Sequence, residues 1–166
     1  GVYGTYRTKS PDTDVLSAAG VKLVKCDLLE ADSIRDACGS LQALCAEWDV
    51  LVLCPGSQDP IGPFTECDFD SWEQSIETNF VGQLRIVHSL LPWRRRGATR
   101  GPCVLFFAGG GTNNATLRYS AYTVSKIALI KMCELLDAEI KDTRFSIVGP
   151  GWVKTKIHQA TLNARV

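Results

Sequence analysis

The feature that most constrains this chain is an alternation of short apolar runs with longer stretches of helical periodicity. Val2 to Tyr6 (VYGTY), Val21 to Lys25 (VKLVK), Val50 to Cys54 (VLVLC), Cys103 to Phe107 (CVLFF) and Phe145 to Val148 (FSIV) are short and rich in β-branched or aromatic residues, and read as strands. Between them, Ile34, Ala37, Cys38, Leu41, Leu44, Cys45 and Trp48 recur at helical spacing, with Ser33 and Asp36 placed like a capping box. A second helix is predicted over 71–91, with Trp72, Ile76, Phe80, Leu84, Val87 and Leu91 on one stripe, Asp70 and Glu73 at its start and Pro92 after its end. A third is predicted over 120–140, and a weaker one over 13–19. Strands that alternate with helices pair in parallel, because a parallel connection must cross the sheet and a helix makes that crossing. The fold class is therefore α/β.

The chain of 166 residues suits one domain spanning 1–166. With 45% hydrophobic and 22% charged residues, it has the composition of a globular protein and not of a disordered one. Lys+Arg 18 balances Asp+Glu 18, so no bulk positive charge points to a nucleic-acid partner. The apolar runs are too short to cross a membrane, and no basic and apolar leader opens the sequence. A cytoplasmic location is the expectation. The seven cysteines, at 26, 38, 45, 54, 67, 103 and 133, are odd in number and lack zinc-knuckle spacing, and only His88 and His158 stand by as further ligands. Reduced, buried thiols and no metal are expected. The basic stretch Trp93 to Arg100 (WRRRGATR) reads as a solvated loop.

The chemistry concentrates where the third helix starts, at Tyr122-Thr-Val-Ser-Lys126. Residues i and i+4 share a helix face, so the phenol and the ammonium can approach each other. A neighbouring cation favours phenolate and lowers a tyrosine pKa from about 10 toward neutrality, which makes Tyr122 a usable acid/base.

This segment, YSAYTVSK, resembles the active-site segment of the short-chain dehydrogenase/reductase family, and further landmarks follow in the family's order. Asp27, in KCDLLEADS, matches an adenine-contacting aspartate, with Leu28 beside it. Residues 49–56 (DVLVLCPG) match the strand that usually ends in Asn-Asn-Ala-Gly, with Gly56 kept. Asn79, in ETNFVGQ, matches the asparagine of the Asn-Ser-Tyr-Lys tetrad, and residues 150–155 (PGWVKT) match the Pro-Gly-x-x-x-Thr loop beside the nicotinamide. The resemblance implies a Rossmann-like doubly wound parallel sheet with helices on both faces. It also implies NAD(P)-dependent hydride transfer between a carbonyl and an alcohol, with a small-molecule carbonyl or alcohol as substrate. Tyr122 would exchange the proton with substrate oxygen, Lys126 would hold the ribose hydroxyls, and Asn79 would fix a backbone bulge. Gly56, Pro150, Gly151 and Thr155 would line the cofactor.

Two departures stand out. At the position of the tetrad serine the chain has Gly109, and Thr112 is the hydroxyl available to replace it. Losing a donor that polarises a carbonyl costs about 10²–10³ in rate. A nucleotide-binding relative without catalysis is therefore the alternative reading, and an epimerase or dehydratase of nucleotide-linked sugars a third. The Thr-Gly-x-x-x-Gly-x-Gly turn that binds pyrophosphate does not occur in the sequence, and VYGTYR corresponds to the family's second strand. The chain is thus expected to be incomplete at both ends relative to the family, lacking the first and last strands.

A homodimer or homotetramer is expected, because the two long helices carry apolar residues beyond one stripe, among them Ile86, Leu90, Ile127 and Ile130. Arg7, at the end of the first strand, stands where the chain would pass the adenosine ribose, and neither Tyr6 nor Thr8 is acidic. A guanidinium there pairs with a 2′-phosphate, so NADP is the expected cofactor, with NAD the weaker binder. Titration with both cofactors checks this: NADPH binds more tightly, and Arg7→Ala erases the difference, whereas tighter NAD⁺ binding contradicts the assignment.

Overall fold

The computed structural model describes residues 1–97, 99–151, 153, 155, 157, 161, 162 and 164. The element order is β1 (Tyr3–Tyr6), α1 (Pro11–Ala18), β2 (Lys22–Lys25), α2 (Ala31–Leu44), β3 (Val50–Leu53), α3 (Phe69–Ile76), a π-helical turn (Glu77–Val81), α4 (Gly82–Leu90), β4 (Cys103–Phe107), α5 (Ser120–Glu139) and β5 (Arg144–Val148). All five strands fall where the hydrophobic pattern puts them, with ends shifted by at most a residue, and α1 and α5 agree within two. Helix α2 ends at Leu44, so Trp48, expected on its stripe, lies beyond the helix in an isolated bridge with Arg94.

Every strand pairing is parallel: Tyr3 lies opposite Lys22, Val50 opposite Cys103, and Cys103 opposite Arg144. Among the described residues β1 and β2 form one sheet, and β3, β4 and β5 another in that order. The outer edges of β1 and β3 both line one cleft of about 910 Å³, which Leu41, Ile86 and Leu90 also border. From this cleft the chain steps outward in opposite directions, β1 to β2 on one side and β3 to β4 to β5 on the other. Right-handed crossovers that step in opposite directions put their helices on opposite faces, which is the doubly wound arrangement. The cleft lies between β1 and β3, which form no ladder with each other among the described residues. Its effect on burial is direct: Val50 and Val52 are 60% and 48% exposed on the edge of β3, whereas Val104 and Phe106 of β4 are fully buried.

The core lies between the sheet and the helices α2, α4 and α5. It contains Ile34, Ala37 and Cys38 of α2, Ile86, Val87 and Leu90 of α4, Leu129 and Cys133 of α5, and Leu53, Val104, Phe106 and Phe145 of the strands. Ile86 and Leu90 thus belong to the interior and not to a second apolar face. On α5, Val124, Ile127 and Leu135 remain exposed and Ile130 is half-buried. All seven cysteines are free thiols, but only Cys26, Cys38 and Cys133 are buried as expected; Cys45, Cys67 and Cys103 are half-buried and Cys54 is exposed. Among the described residues no helix is long and apolar enough to cross a membrane.

Three local expectations are corrected. Ser33 does not cap α2, which begins earlier, after Glu30; its hydroxyl accepts from the Asp27 backbone N–H at 2.9 Å instead. The second predicted helix starts at Phe69 with Asp68 as its cap, whose carboxylate accepts from the Ser71 N–H at 3.0 Å, and a π turn interrupts it. The extra residue of that turn rotates the helix face. The deepest stripe becomes Ser75, Asn79, Gln83, Ile86 and Leu90, while Trp72, Ile76, Phe80 and Leu84 are only half-buried. The basic stretch is not merely solvated. The Arg94 guanidinium, with its side chain 9% exposed, grips both Asp142 carboxylate oxygens, and Arg95 pairs with Glu47 and Asp49. Acidic neighbours neutralise the cluster.

Asn79, at the centre of the π turn, is wholly buried and joins this helix to the segment leaving β3. Its Oδ1 accepts from the Ser57 N–H at 2.8 Å, its Nδ2 donates to the Ser57 carbonyl at 2.8 Å, and Nδ2 also donates to Ser75 Oγ at 3.1 Å. One amide thereby satisfies both backbone groups of Ser57. Asn79→Ala removes both bonds from the half-buried Ser57 and lowers stability by about 1–3 kcal/mol, from roughly 0.5–1.5 kcal/mol per hydrogen bond. Urea unfolding checks this; a loss under roughly 0.5 kcal/mol, the size of an ordinary surface substitution, contradicts it.

Candidate active site

Because every strand runs the same way, the segments that follow the strands gather at one edge of the sheet, where open α/β folds bind ligands. Arg7 follows β1, Asp27 follows β2, residues 54–57 follow β3, 108–112 follow β4 and 149–151 follow β5. Helix α5 delivers Tyr122 and Lys126 to this edge on its first two turns.

The start of α5 has no side-chain cap. Contacts with the segment after β3 hold it instead. Arg118 takes a left-handed φ of 70° and its carbonyl accepts from the Gly62 N–H at 2.9 Å. The Trp72 indole donates to Ser120 Oγ at 3.0 Å. These tertiary bonds anchor the start of the helix, but unlike a cap they do not satisfy its first-turn N–H groups.

Lys126 is 2% exposed and its Nζ donates to the Phe107 carbonyl at 3.0 Å, which ties α5 to the end of β4. Burial pushes the ammonium down to about 8, with the nearby Cys54 acting in the opposite direction. An ammonium carries three donors, and Phe107 takes one. The ammonium faces Gly56. A Cβ built on Gly56 would stand 3.9 Å from Lys126 Nζ, 3.7 Å from Asn79 Oδ1 and 3.0 Å from Ile157 Cδ1. The three landmarks Gly56, Asn79 and Lys126, far apart in sequence, thus meet around one small space.

Tyr122 is 8% exposed and packs against Gly109. The Lys126 ammonium lies 5.9 Å from its ring centroid. The phenol pKa is raised above the ordinary tyrosine value by burial. Spacing alone suggests the reverse. The difference arises because the ammonium turns to the Phe107 carbonyl, while the ring sits in a largely dry pocket.

The other sequence-derived residues surround this centre without joining it. Arg7 is exposed and takes part in no ion pair among the described residues. Asp27 is half-buried, and its Oδ1 accepts from the Leu29 N–H at 3.1 Å, an Asx-type turn. Leu28 packs against Gly82 at the start of α4. Thr112 is half-buried in the turn after β4 and makes no hydrogen bond to Tyr122 among the described residues. Pro150, Gly151 and Thr155 are exposed after β5; Trp152, Lys154 and His158 lie outside the described residues.

Sequence reasoning missed Ser57, Ser75, Gln83 and Ile157. Ser75, Asn79 and Gln83 stand four apart, a polar stripe on a helix that was read by its apolar residues. Gln83 Nε2 donates to the Asn79 carbonyl at 2.8 Å, bracing the π turn. Ile157 had no local signal at all.

The residues at this centre fit the ribose end of a nicotinamide cofactor. A buried ammonium with donors to spare suits vicinal hydroxyls, and the space at Gly56 is one that a side chain would fill. The pyrophosphate end has no counterpart in this sequence, since the glycine-rich turn does not occur in it.

Comparison with known proteins accords with this geometry. The family model described as short chain dehydrogenase matches residues 8–165. A 3-ketodihydrosphingosine reductase of Dictyostelium discoideum is 25% identical over 148 residues, covering 86% of this chain and 44% of that protein. A fatty acyl-CoA reductase of Acinetobacter baylyi is 29% identical over 125 residues, covering 75% and 42% respectively. The chain thus spans under half the length of these curated relatives. Among solved structures, a short chain dehydrogenase/reductase of Saccharomyces cerevisiae superposes with a TM-score of 0.87 at 23% identity, covering 98% of this chain and 64% of that one. The Pseudomonas aeruginosa RhlG/NADP active-site complex superposes with a TM-score of 0.86 at 21% identity, covering 99% and 67%. With the family model matched over nearly its whole length, the chain belongs to the short-chain dehydrogenase family.

Proposed function

We propose that this chain is the NAD(P)-binding Rossmann-type domain of an oxidoreductase that transfers a hydride between a nicotinamide cofactor and a carbonyl or alcohol substrate. The observation that carries the reading is the meeting of Lys126, Asn79 and Gly56 around one space at the carboxyl edge of the sheet, with Tyr122 one helical turn from Lys126. When bound, the cofactor supplies the hydride donor or acceptor, and the chain supplies the proton and the geometry.

Tyr122 is the general acid that protonates the carbonyl oxygen in reduction and the base that takes the proton back in oxidation. Lys126 would hold the ribose hydroxyls with the donors that Phe107 leaves free. Asn79 positions the Ser57 backbone, and so Gly56, beside the ribose. Arg7 would pair with the 2′-phosphate of NADP, and Asp27 and Leu28 would border the adenine. Pro150, Gly151 and Thr155 would flank the nicotinamide. The exposed Val124, Ile127 and Leu135 of α5 suit burial against a second copy, giving a homodimer or homotetramer. The free thiols suit a reducing cytoplasm.

One observation favours a second reading, a relative that binds nucleotide without turnover: residue 109 is glycine, and burial raises the phenol pKa. Reduction of a panel of ketones and aldehydes with NADPH decides between the two. Turnover removes the second reading, and cofactor binding without turnover removes the first.

Tyr122→Phe keeps the ring and removes the proton. It lowers turnover at least about 10²-fold with cofactor affinity little changed, the size of a lost acid/base contribution. Lys126→Ala damages both, because it loses the ribose contact as well. Steady-state kinetics together with cofactor titration check the pair, and near-normal turnover in Tyr122→Phe contradicts the assignment.

A further inference from the structure

We infer that Gly109 is a positioning residue for Tyr122: the absence of a side chain at 109 is what seats the phenol, so a serine there would displace the proton donor instead of assisting it. This rests on the acid/base role proposed for Tyr122.

Helix α5 brings the ring to this place. The Lys126 ammonium is fastened to the Phe107 carbonyl, and Tyr122 lies one turn earlier on the same face, which puts it over residue 109, two beyond Phe107. A Cβ built on Gly109 would lie 2.6 Å from Tyr122 Cε1, 2.7 Å from its hydroxyl oxygen and 2.8 Å from Cζ. Non-bonded carbons settle at about 3.5–4.0 Å, so the phenol occupies the volume of a side chain at 109. The overlap falls on the far end of the phenol, its hydroxyl, Cζ and Cε1, which cannot bend independently of the ring. A tyrosine on a helix has few χ1 choices, and the flanking Ala121 and Ser125 are buried. The ring can yield only by swinging as a whole, away from 109.

Backbone conformation does not explain the glycine. The φ of Gly109 lies outside the left-handed region, unlike that of Gly111 at 81°. Nor does general crowding, because a Cβ on the neighbouring Gly110 would meet no atom within 4 Å. The demand for glycine is local to 109 and comes from the phenol. The usual inference from a missing tetrad serine, that an activity has decayed, is therefore reversed here: ring and glycine form a matched pair.

The test uses Gly109→Ser and Gly109→Ala, with Gly110→Ala as the control. Both 109 variants lose about 10²-fold in kcat, as a displacement of about 1 Å can cost, with KM for NADPH little changed, while Gly110→Ala stays close to wild type. Tyrosinate absorbance, referenced to Tyr122→Phe, reports the ring directly: its ionisation moves down toward the ordinary tyrosine range as the phenol swings into solvent. Thermal unfolding in two backgrounds covers a variant that folds poorly. Gly109→Ala destabilises the protein that carries Tyr122 and leaves the Tyr122→Ala protein unaffected. Turnover in Gly109→Ser equal to or above wild type, an unmoved Tyr122 ionisation, or equal destabilisation in both backgrounds overturns the inference. A wild-type protein that reduces no carbonyl removes the acid/base reading instead, and the ionisation and stability comparisons still decide the seating.

Discussion

The hydrogen bond from the buried Lys126 ammonium to the Phe107 carbonyl fixes α5 relative to β4, and the other groups of the site take their places from it. A charge taken out of water costs several kcal/mol unless it is paired or hydrogen-bonded. Here the burial is deep enough to bring the ammonium down to about 8. One backbone carbonyl meets part of that cost, and the space at Gly56 lets further acceptors approach the remaining donors. With the helix register set at Lys126, Tyr122 falls on Gly109. Asn79 holds the strand exit at Ser57 from the opposite side.

Much of this arrangement was legible in the sequence. The five strands and the order of the helices follow from hydrophobic periodicity, because parallel strands in the sheet are short and apolar while the helices between them carry a 3.6-residue stripe. Tyr122 and Lys126 were legible because four-residue spacing on a helix is geometry in itself. Asn79 and Gly56 stood out only through the order of landmarks, since a lone asparagine or glycine says little about its surroundings.

The remainder depends on contacts that local sequence does not encode. The π turn at Glu77–Val81 arises because a polar stripe, Ser75, Asn79 and Gln83, must face the strand exit while the flanking apolar residues still reach the core. Ser33 has the spacing of a cap, yet its hydroxyl serves the Asp27 backbone. Arg94 has the surroundings of a solvated loop in sequence, but Asp142, brought over by the turn before β5, grips it. In each case a partner distant in sequence outweighs a local preference.

The most direct test of the account is nitrogen NMR of the lysine side chains in the protein, followed first through pH and then through addition of NADPH. Lys126 is assigned as the resonance missing from a Lys126→Met variant. The account predicts that this amine titrates near 8, well below the surface lysines at about 10.4, and that its resonance shifts saturably as NADPH binds. A Lys126 amine that titrates with the surface lysines, and whose resonance stays still while the cofactor binds, would contradict it.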